Sequence, residues 1–243
     1  MSINNKFLLD DFSKIYDEFI VNFTDFNQKQ NEFNAKIAHE IRNPLSIIRS
    51  MLQLVEKNVP EVQNSSYWNS IFNEIDYVNQ LLNSLTNYCN STYINKKPIV
   101  LNDLLLDLKN SYQSYATQQS KYISLKPCSK NVVIHADPIK IKQALSNLLK
   151  NAFEATKENA LITISAKENK NTLLIKIKDT GSGISEDKLK TIFEPFVTYK
   201  PTGTGLGLSV VKNVIKEHNG SIDIQSKLGV GTTFLITLPY GND

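Results

Sequence analysis

The chain has 243 residues, 41% of them hydrophobic and 21% charged, enough for one large or two modest domains. Its net charge of +3 argues for neither nucleic acid nor a membrane surface as a partner, and no stretch approaches the ~20 apolar residues of a direct membrane span. Cys89 and Cys128 lack paired spacing, so no disulfide framework is expected, and lone thiols fit a reducing cytoplasm.

The charge is unevenly spread. Residues 1–95 carry 7 Lys and Arg against 11 Asp and Glu, whereas residues 96–243 carry 20 against 13. Net charges of −4 and +7 make the second part the better host for a polyanion such as a nucleotide. The N-terminus is too acidic and too interrupted for a signal peptide, which leads to the expectation of a cytoplasmic protein.

In chain order, apolar residues recur first at Phe12, Ile15, Phe19, Phe23, Phe26, Phe33 and Ile37, then at Ile41, Leu45, Ile48, Leu52 and Val55. These spacings predict one helix from about residue 8 or 10 to about 57, or two helices broken near Gln28–Asn31. A helix with so long a stripe belongs in a coiled coil or bundle. His39 lies about 200° around from Ile37 and so points off the stripe, sharing an outer face with Asn43, Ser46 and Ser50. On an isolated helix such a histidine is more often inert, but Glu40 beside it leaves chemistry on a partner molecule open. Pro44 removes a helix hydrogen bond and crowds the carbonyl of Glu40, so a kink is expected beside the histidine.

Residues 58–66 read as a turn, with Pro60 stopping the first helix and Ser65 or Ser66 capping a second. That helix carries Trp68, Ile71, Phe72, Ile75, Val78, Leu81, Leu82, Leu85 and Tyr88. A lone helical hairpin cannot bury its stripe well, so a homodimer forming a four-helix bundle is expected. The polar stretch 91–98 reads as a linker. The chain then divides into an N-terminal helical extension (1–30), a hairpin domain (31–95) and a second domain (96–243).

Beyond the linker the pattern is mixed. Helices are predicted at 102–120 and 138–156, the latter opened by Asp137 as N-cap and Pro138 at the first helical position. Strands are predicted at 121–126, 131–135, 161–168, 172–178, 221–227 and 231–238. This mixture implies a two-layer α/β sandwich, with helices on one face of a sheet.

Three stretches of this second domain carry chemistry. Asn147 and Asn151 are four apart on one helix face, and carboxamide oxygens suit a hard cation such as Mg²⁺. Asp179 follows a predicted strand and precedes Gly181 and Gly183, so a carboxylate able to accept from an exocyclic amine stands beside a tight turn. Gly203, Gly205 and Gly207 open an apolar-periodic helix running to about His218, a natural seat for phosphate, with Lys200 just upstream. Weak helix and strand signals over 195–204 suit a mobile flap. Each signal alone also fits a solvated helix face or an ordinary turn. His135, His218 and Trp68 read as structural residues without metal-ligand spacing.

Their order and combination resemble the two-component sensor histidine kinases over roughly residues 30–239. HEIRNPL (39–45) resembles the family's H box, 147–152 its N box, 179–183 and 203–207 its two glycine boxes, and Phe193 and Phe196 its F box. GVGTTFLITLP (229–239) is similar to its last strands. The short lid and HEIRNPL resemble the nitrogen-regulation and sporulation kinase branch.

The resemblance implies a dimerisation and phosphotransfer hairpin followed by an ATP-binding domain of the type shared with gyrase and the chaperone Hsp90. It further implies that His39 is phosphorylated from Mg-ATP and passes the phosphoryl group to an aspartate of a response regulator. Glu40 and Asn43 match an E-x-x-N pattern linked to dephosphorylating that regulator. Nucleotide contacts are implied for Asn147, Asn151, Asp179, Gly181, Gly183, Phe193, Lys200, Gly203, Thr204, Gly205, Leu206 and Gly207, with Asn151 holding Mg²⁺. Gyrase-type ATPases place a water-activating Glu where this chain has Asn147, so the site is suited to holding ATP without hydrolysing it. Glu40 is the expected acceptor for the N–H of His39. Glu154 departs from the family's frequent Lys or Arg at that position.

Competing readings are a phosphotransferase or phosphatase with little autokinase activity, a serine kinase of the anti-sigma type, and a structural coiled coil. The retained Asn151, Asp179 and glycines argue against a decayed ATP site. A serine kinase has no use for the hairpin or His39, and a coiled coil leaves the second half unexplained. Only about 35 residues precede His39, so either a separate sensor or regulatory protein supplies the signal or those residues are the remnant of one.

Overall fold

A computed structural model describes the backbone of residues 4–200 and 203–240, and side chains from residue 29 onward within those bounds. The upstream stripe from Phe12 to Phe26 and most of the expected extension therefore lie outside the described side chains. Contacts divide the chain into two units, Met1–Asn90 and Ser91–Asp243.

In the first unit, α1 (Asn4–Asn58) runs without a break at Gln28–Asn31 and keeps Pro44 inside it. A 3-10 turn, Pro60–Asn64, leads to α2 (Ser66–Cys89), with Ser65 at the N-cap. The two helices pack through Ala38, Ile75, Leu82 and Cys89, all buried. Arg49 reaches across to pair with Asp76 and lies 5.6 Å from the ring centre of Phe72. The hairpin does not bury its own stripe: Ile41, Ile48 and Val55 stay 42–46% exposed.

The second unit is the expected two-layer α/β sandwich. Its elements are β1 (Lys97–Val100), α3 (Leu101–Gln118), β2 (Tyr122–Lys126), β3 (Val133–Ala136), α4 (Pro138–Ala155), β4 (Leu161–Asn169), β5 (Thr172–Lys178), α5 (Glu186–Leu189), α6 (Gly207–Glu217), β6 (Ser221–Lys227) and β7 (Gly231–Pro239). The main sheet has the order β2-β4-β5-β7-β6; β2 runs parallel to β4 and the other pairs are antiparallel. Strict alternation sends Ile162, Ile164, Leu173, Ile175, Ile177, Phe234 and Ile236 to one buried face. The apolar faces of α3, α4 and α6 supply the rest of the core through Leu105, Leu108, Leu145, Leu148, Leu149, Val211 and Val214.

The stretch read as a polar linker is tied to this sandwich. Lys97 and Pro98 belong to β1, which pairs antiparallel with β3. Ser91 is buried and accepts from Asn213 Nδ2 at 3.1 Å, and the Asn95 N–H donates to Asp137 Oδ2 at 2.8 Å. Only Ile99 and Val100 give this strand an apolar signal, and α3 follows at once, so no alternation is visible over its length.

Asp137 joins several elements. Its Oδ1 caps α4 by accepting from the Ile139 and Lys140 N–H groups, while its own N–H donates to His218 Nε2 at 2.9 Å. His218 Nδ1 donates to the Val214 carbonyl at 2.7 Å, so the ring must be neutral with its proton on Nδ1. Burial pushes the Asp137 carboxyl up, but the Asn95, Lys140 and Ile139 N–H donors outweigh it and hold the pKa below the ordinary value.

Burial of His218 lowers its pKa below the usual histidine value. The unfolded chain therefore binds a proton first as pH falls. The stability due to neutral His218 is complete above about pH 6.5 and is lost as pH drops toward the folded pKa. Urea titrations at pH 7.5 and 5.5 are expected to show the wild type losing stability at the lower pH. His218→Gln should start lower at pH 7.5 and lose less between the two; equal losses would remove His218 from the account.

Candidate functional site

The sandwich gathers one set of candidate residues around α4, the end of β5 and the start of α6. Asp179 is only 4% exposed. Its Oδ1 accepts the N–H of Gly181 at 2.8 Å and of Thr232 at 3.2 Å. Both protein bonds fall on Oδ1, leaving Oδ2 as an acceptor for a ligand. Burial raises the carboxyl pKa, and the two N–H donors only partly offset it. A carboxylate so placed gains most from a neutral donor such as an exocyclic amine.

Two glycines are fixed by close approach. A Cβ on Gly181 would stand 2.4 Å from the Ala155 carbonyl oxygen, where the turn after β5 crosses the end of α4. Gly205 has φ +69°, and its Cβ would lie 2.4 Å from the carbonyl carbon of Phe196. Leu206 is buried and its N–H donates to Thr204 Oγ1 at 3.4 Å. Gly203 packs beside Thr198, and Gly183 lies over the Lys227 carbonyl at the end of β6. The start of α6 at Gly207 has no side-chain cap, so its first N–H groups are available to an anion.

Asn147 and Asn151 share one side of α4 but make different contacts. Asn147 Nδ2 donates to the Gly207 carbonyl at 3.1 Å, tying α4 to the start of α6. Asn151 Oδ1 accepts from Lys200 Nζ at 2.9 Å, and the same ammonium pairs with Glu154. The oxygen assigned to a divalent cation therefore already receives a cation, so its chemistry fits that role. Among the described residues no cluster of three His, Cys, Asp or Glu side chains offers a competing metal site. Phe193 is half-buried, whereas Phe196 is exposed at φ +64°. Residues 190–200 form turns rather than regular helix.

Sequence reasoning missed the buttress beneath Asp179. Thr232 contributes its N–H to Asp179, and Ser226 Oγ accepts from the Ile184 N–H at 2.8 Å. Both come from the β6–β7 hairpin, far along the chain, and the only local sign was a Thr pair after Gly231. Tyr199 was also missed: its hydroxyl is 2.7 Å from Thr191 Oγ1, and Lys188 Nζ lies 4.7 Å from its ring centre.

The hairpin holds the other group. His39, Glu40 and Asn43 are all exposed on α1. The ring of His39 is met not by Glu40, as expected, but by Arg42, whose Nη1 is 3.0 Å from Nδ1. Arg42 Nη2 also donates to Asn83 Oδ1 on α2 at 2.9 Å. Arginine can only donate, so Nδ1 is the acceptor and a neutral ring carries its proton on Nε2. Neither nitrogen is then a free nucleophile until Arg42 withdraws. Asn83, 41 positions from Arg42, meets that guanidinium rather than the ring, because the hairpin brings α2 alongside α1 there.

Comparison with known proteins matches both units. The model of the histidine kinase-, DNA gyrase B- and HSP90-like ATPases matches residues 136–242, and that of the His Kinase A (phospho-acceptor) domain matches residues 29–88. Sporulation kinase B of Bacillus subtilis (strain 168) is 32% identical over 212 residues, covering 86% of this chain and 49% of that protein. The catalytic domain of histidine kinase ThkA, free of nucleotide, is 30% identical with a TM-score of 0.56, covering 60% of this chain and 96% of the domain. ThkA in complex with response regulator protein TrrA is 28% identical with a TM-score of 0.63, covering 86% of this chain and 61% of that one. The chain spans about half the length of the curated relatives it matches. Among the described residues no helix is long and apolar enough to cross a membrane.

Nitrogen-15 NMR of the imidazole tests the His39 contact. The wild type is expected to show an accepting Nδ1 and a protonated Nε2, and Arg42→Ala a mixture of tautomers. Identical spectra would mean that Arg42 does not control the ring. In the sandwich, Gly181→Ala is expected to weaken nucleotide binding at least tenfold and to lower the thermal midpoint, because neither the Ala155 carbonyl nor the Asp179 turn can move alone. Unchanged calorimetric binding would contradict that packing.

Proposed function

The chain belongs to the two-component sensor histidine kinases, and on that premise we propose that it accepts the γ-phosphoryl group of Mg-ATP on His39. It then passes the group to an aspartate of a response regulator. The sandwich is the family's ATP-binding domain. The carrying observation is the pairing of that domain, with Asn147 where a hydrolase needs a glutamate, and an exposed histidine on a bundle-forming helix. ATP held without a base to activate water remains available to another nucleophile. In this reading the hairpin, which the contacts end at Asn90 rather than at the expected 95, serves dimerisation and phosphotransfer, and the sandwich from Ser91 onward binds nucleotide.

The roles of the chain's own groups follow. Asp179 Oδ2 accepts from the base's amine. The uncapped N–H groups at the start of α6 face the phosphates, with Thr204 and the glycines 203, 205 and 207 allowing close approach. Gly181 and Gly183 shape the turn against the base, and Phe193 closes the pocket beside the lid. Asn151 holds Mg²⁺ through Oδ1, and the ion's chemistry there is to neutralise phosphate charge. A ring nitrogen of His39 forms the new N–P bond as the β–γ bridging oxygen leaves with its electron pair on ADP. The other ring nitrogen keeps its proton and needs an acceptor, a role that suits Glu40 once the ring turns from Arg42.

The exposed stripe of α1 supports homodimerisation: two copies facing each other bury Ile41, Ile48 and Val55 in a four-helix bundle. Glu40 and Asn43 suit a role in dephosphorylating the regulator. A cytoplasmic location fits this chemistry, since ATP and response regulators are found there.

The test is incubation with γ-labelled ATP and Mg²⁺ beside His39→Gln and Asn151→Ala. Acid-labile, base-stable label on the wild type alone is expected. Label on His39→Gln would overturn the assignment, and nucleotide binding without label would favour a phosphotransferase or phosphatase with little autokinase activity. Pro44→Ala, which restores a helix hydrogen bond beside the acceptor, is expected to change autokinase and phosphatase activities unequally. Equal changes would remove Pro44 from the mechanism.

A further inference from the structure

Glu154 stands three residues past Asn151 on α4. In this structure it is the anchor of a cation from the lid. Lys200 Nζ pairs with Glu154 Oε2 and donates to Asn151 Oδ1 at 2.9 Å, while Lys150 Nζ stands 3.9 Å from the other carboxylate oxygen. Among the described residues Asn151 and Glu154 are the only acceptors of the Lys200 ammonium. The ammonium thus sits on the carboxamide oxygen that a bound Mg²⁺ requires.

The two occupants exclude each other. A magnesium ion stands ~2.1 Å from its oxygen ligand. An ammonium hydrogen-bonded to the same oxygen would then lie within about 5 Å of it, close enough for the like charges to repel even at a partly exposed site. Lys200 must leave Asn151 before a metal-bearing nucleotide seats. How readily it leaves depends on Glu154, the one full negative charge holding it.

We propose that Glu154 is a positioning residue that parks Lys200 over the oxygen proposed to hold the metal and sets the cost of admitting Mg-nucleotide. Once released, Lys200 exchanges a carboxylate and a carboxamide for phosphate oxygens. The cation that α4 lacks at position 154 is in this way delivered from the lid. The inference rests on the proposed nucleotide site and adds a competition within it.

The test is a double-mutant cycle read by calorimetry of Mg²⁺ and AMPPNP binding, using wild type, Glu154→Gln, Lys200→Met and the double variant. Lys200 and Glu154 side chains are 42% and 35% exposed, so none of these changes opens the core. Partly exposed pairs are weak, and Glu154→Gln is expected to tighten binding by only about 2- to 5-fold in the wild-type background. The same change should have no effect in the Lys200→Met background, because Glu154 acts through Lys200. Glu154→Asp, which keeps the charge, should stay near wild type. An equal gain from Glu154→Gln in both backgrounds would mean direct repulsion between Glu154 and the phosphates and would overturn the proposal. No effect in either background would also overturn it while leaving the nucleotide site intact. Folded wild type that binds no AMPPNP would overturn the nucleotide site and this inference with it.

Discussion

A buried carboxylate without a counter-ion is the constraint that shapes the sandwich. Leaving Asp179 unbonded in the interior would cost several kcal/mol, on the order of the whole stability of a small domain. Two N–H groups meet that cost in part, one from Gly181 in its own turn and one from Thr232 in β7. For Gly181 to reach Asp179, its turn must lie against the Ala155 carbonyl, which accepts from the Ser182 N–H at 3.0 Å. The end of α4, the end of β5 and the β6–β7 hairpin are thereby locked together. Oδ2 is still left to a ligand, so the pocket is stabilised by what it binds.

The two units meet opposite demands. The proposed function asks that a nucleotide base be held away from water, and Asp179, its proposed acceptor, is buried with its turn pinned by backbone bonds. The phosphoacceptor role proposed for His39 asks that one partner and then another reach it, and His39 is exposed with only light local contacts. Arg42 is such a contact, meeting the ring without enclosing it while its other nitrogen donates to Asn83. Lys200 makes a comparable contact at Asn151, the residue proposed to hold the metal, through exposed and hence weak bonds. In both places a nearby cationic side chain engages the atom to which the proposed function gives a role.

Much of this was legible in the chain because it is local. Asp137 and Pro138 announce α4, alternation over 161–168 and 172–178 announces the hairpin of β4 and β5, and the 3–4 spacing from Ile37 to Val55 announces α1. The motif residues were legible as types at positions: an Asp before two glycines, and glycines before an apolar helix. What escaped were contacts made by folding. Thr232 reaches Asp179 from 53 residues away, Asn83 reaches Arg42 from 41, and Lys200 reaches Glu154 from 46. None leaves a periodic trace. The first two residues of β1 were read as linker for a different reason: four residues with two apolar positions carry too little pattern. Asn147 was read as offering an oxygen, whereas its nitrogen supports Gly207, a distinction between the two ends of one side chain that spacing cannot make.

The central claim is that the sandwich holds ATP without hydrolysing it, so that the phosphoryl group reaches only a histidine. Phosphate release from Mg-ATP by His39→Gln tests this most directly, with nucleotide binding confirmed by calorimetry in the same sample. The account predicts wild-type nucleotide affinity and phosphate release no faster than in buffer. Sustained release by the variant would show that water is activated despite Asn147 and would contradict it.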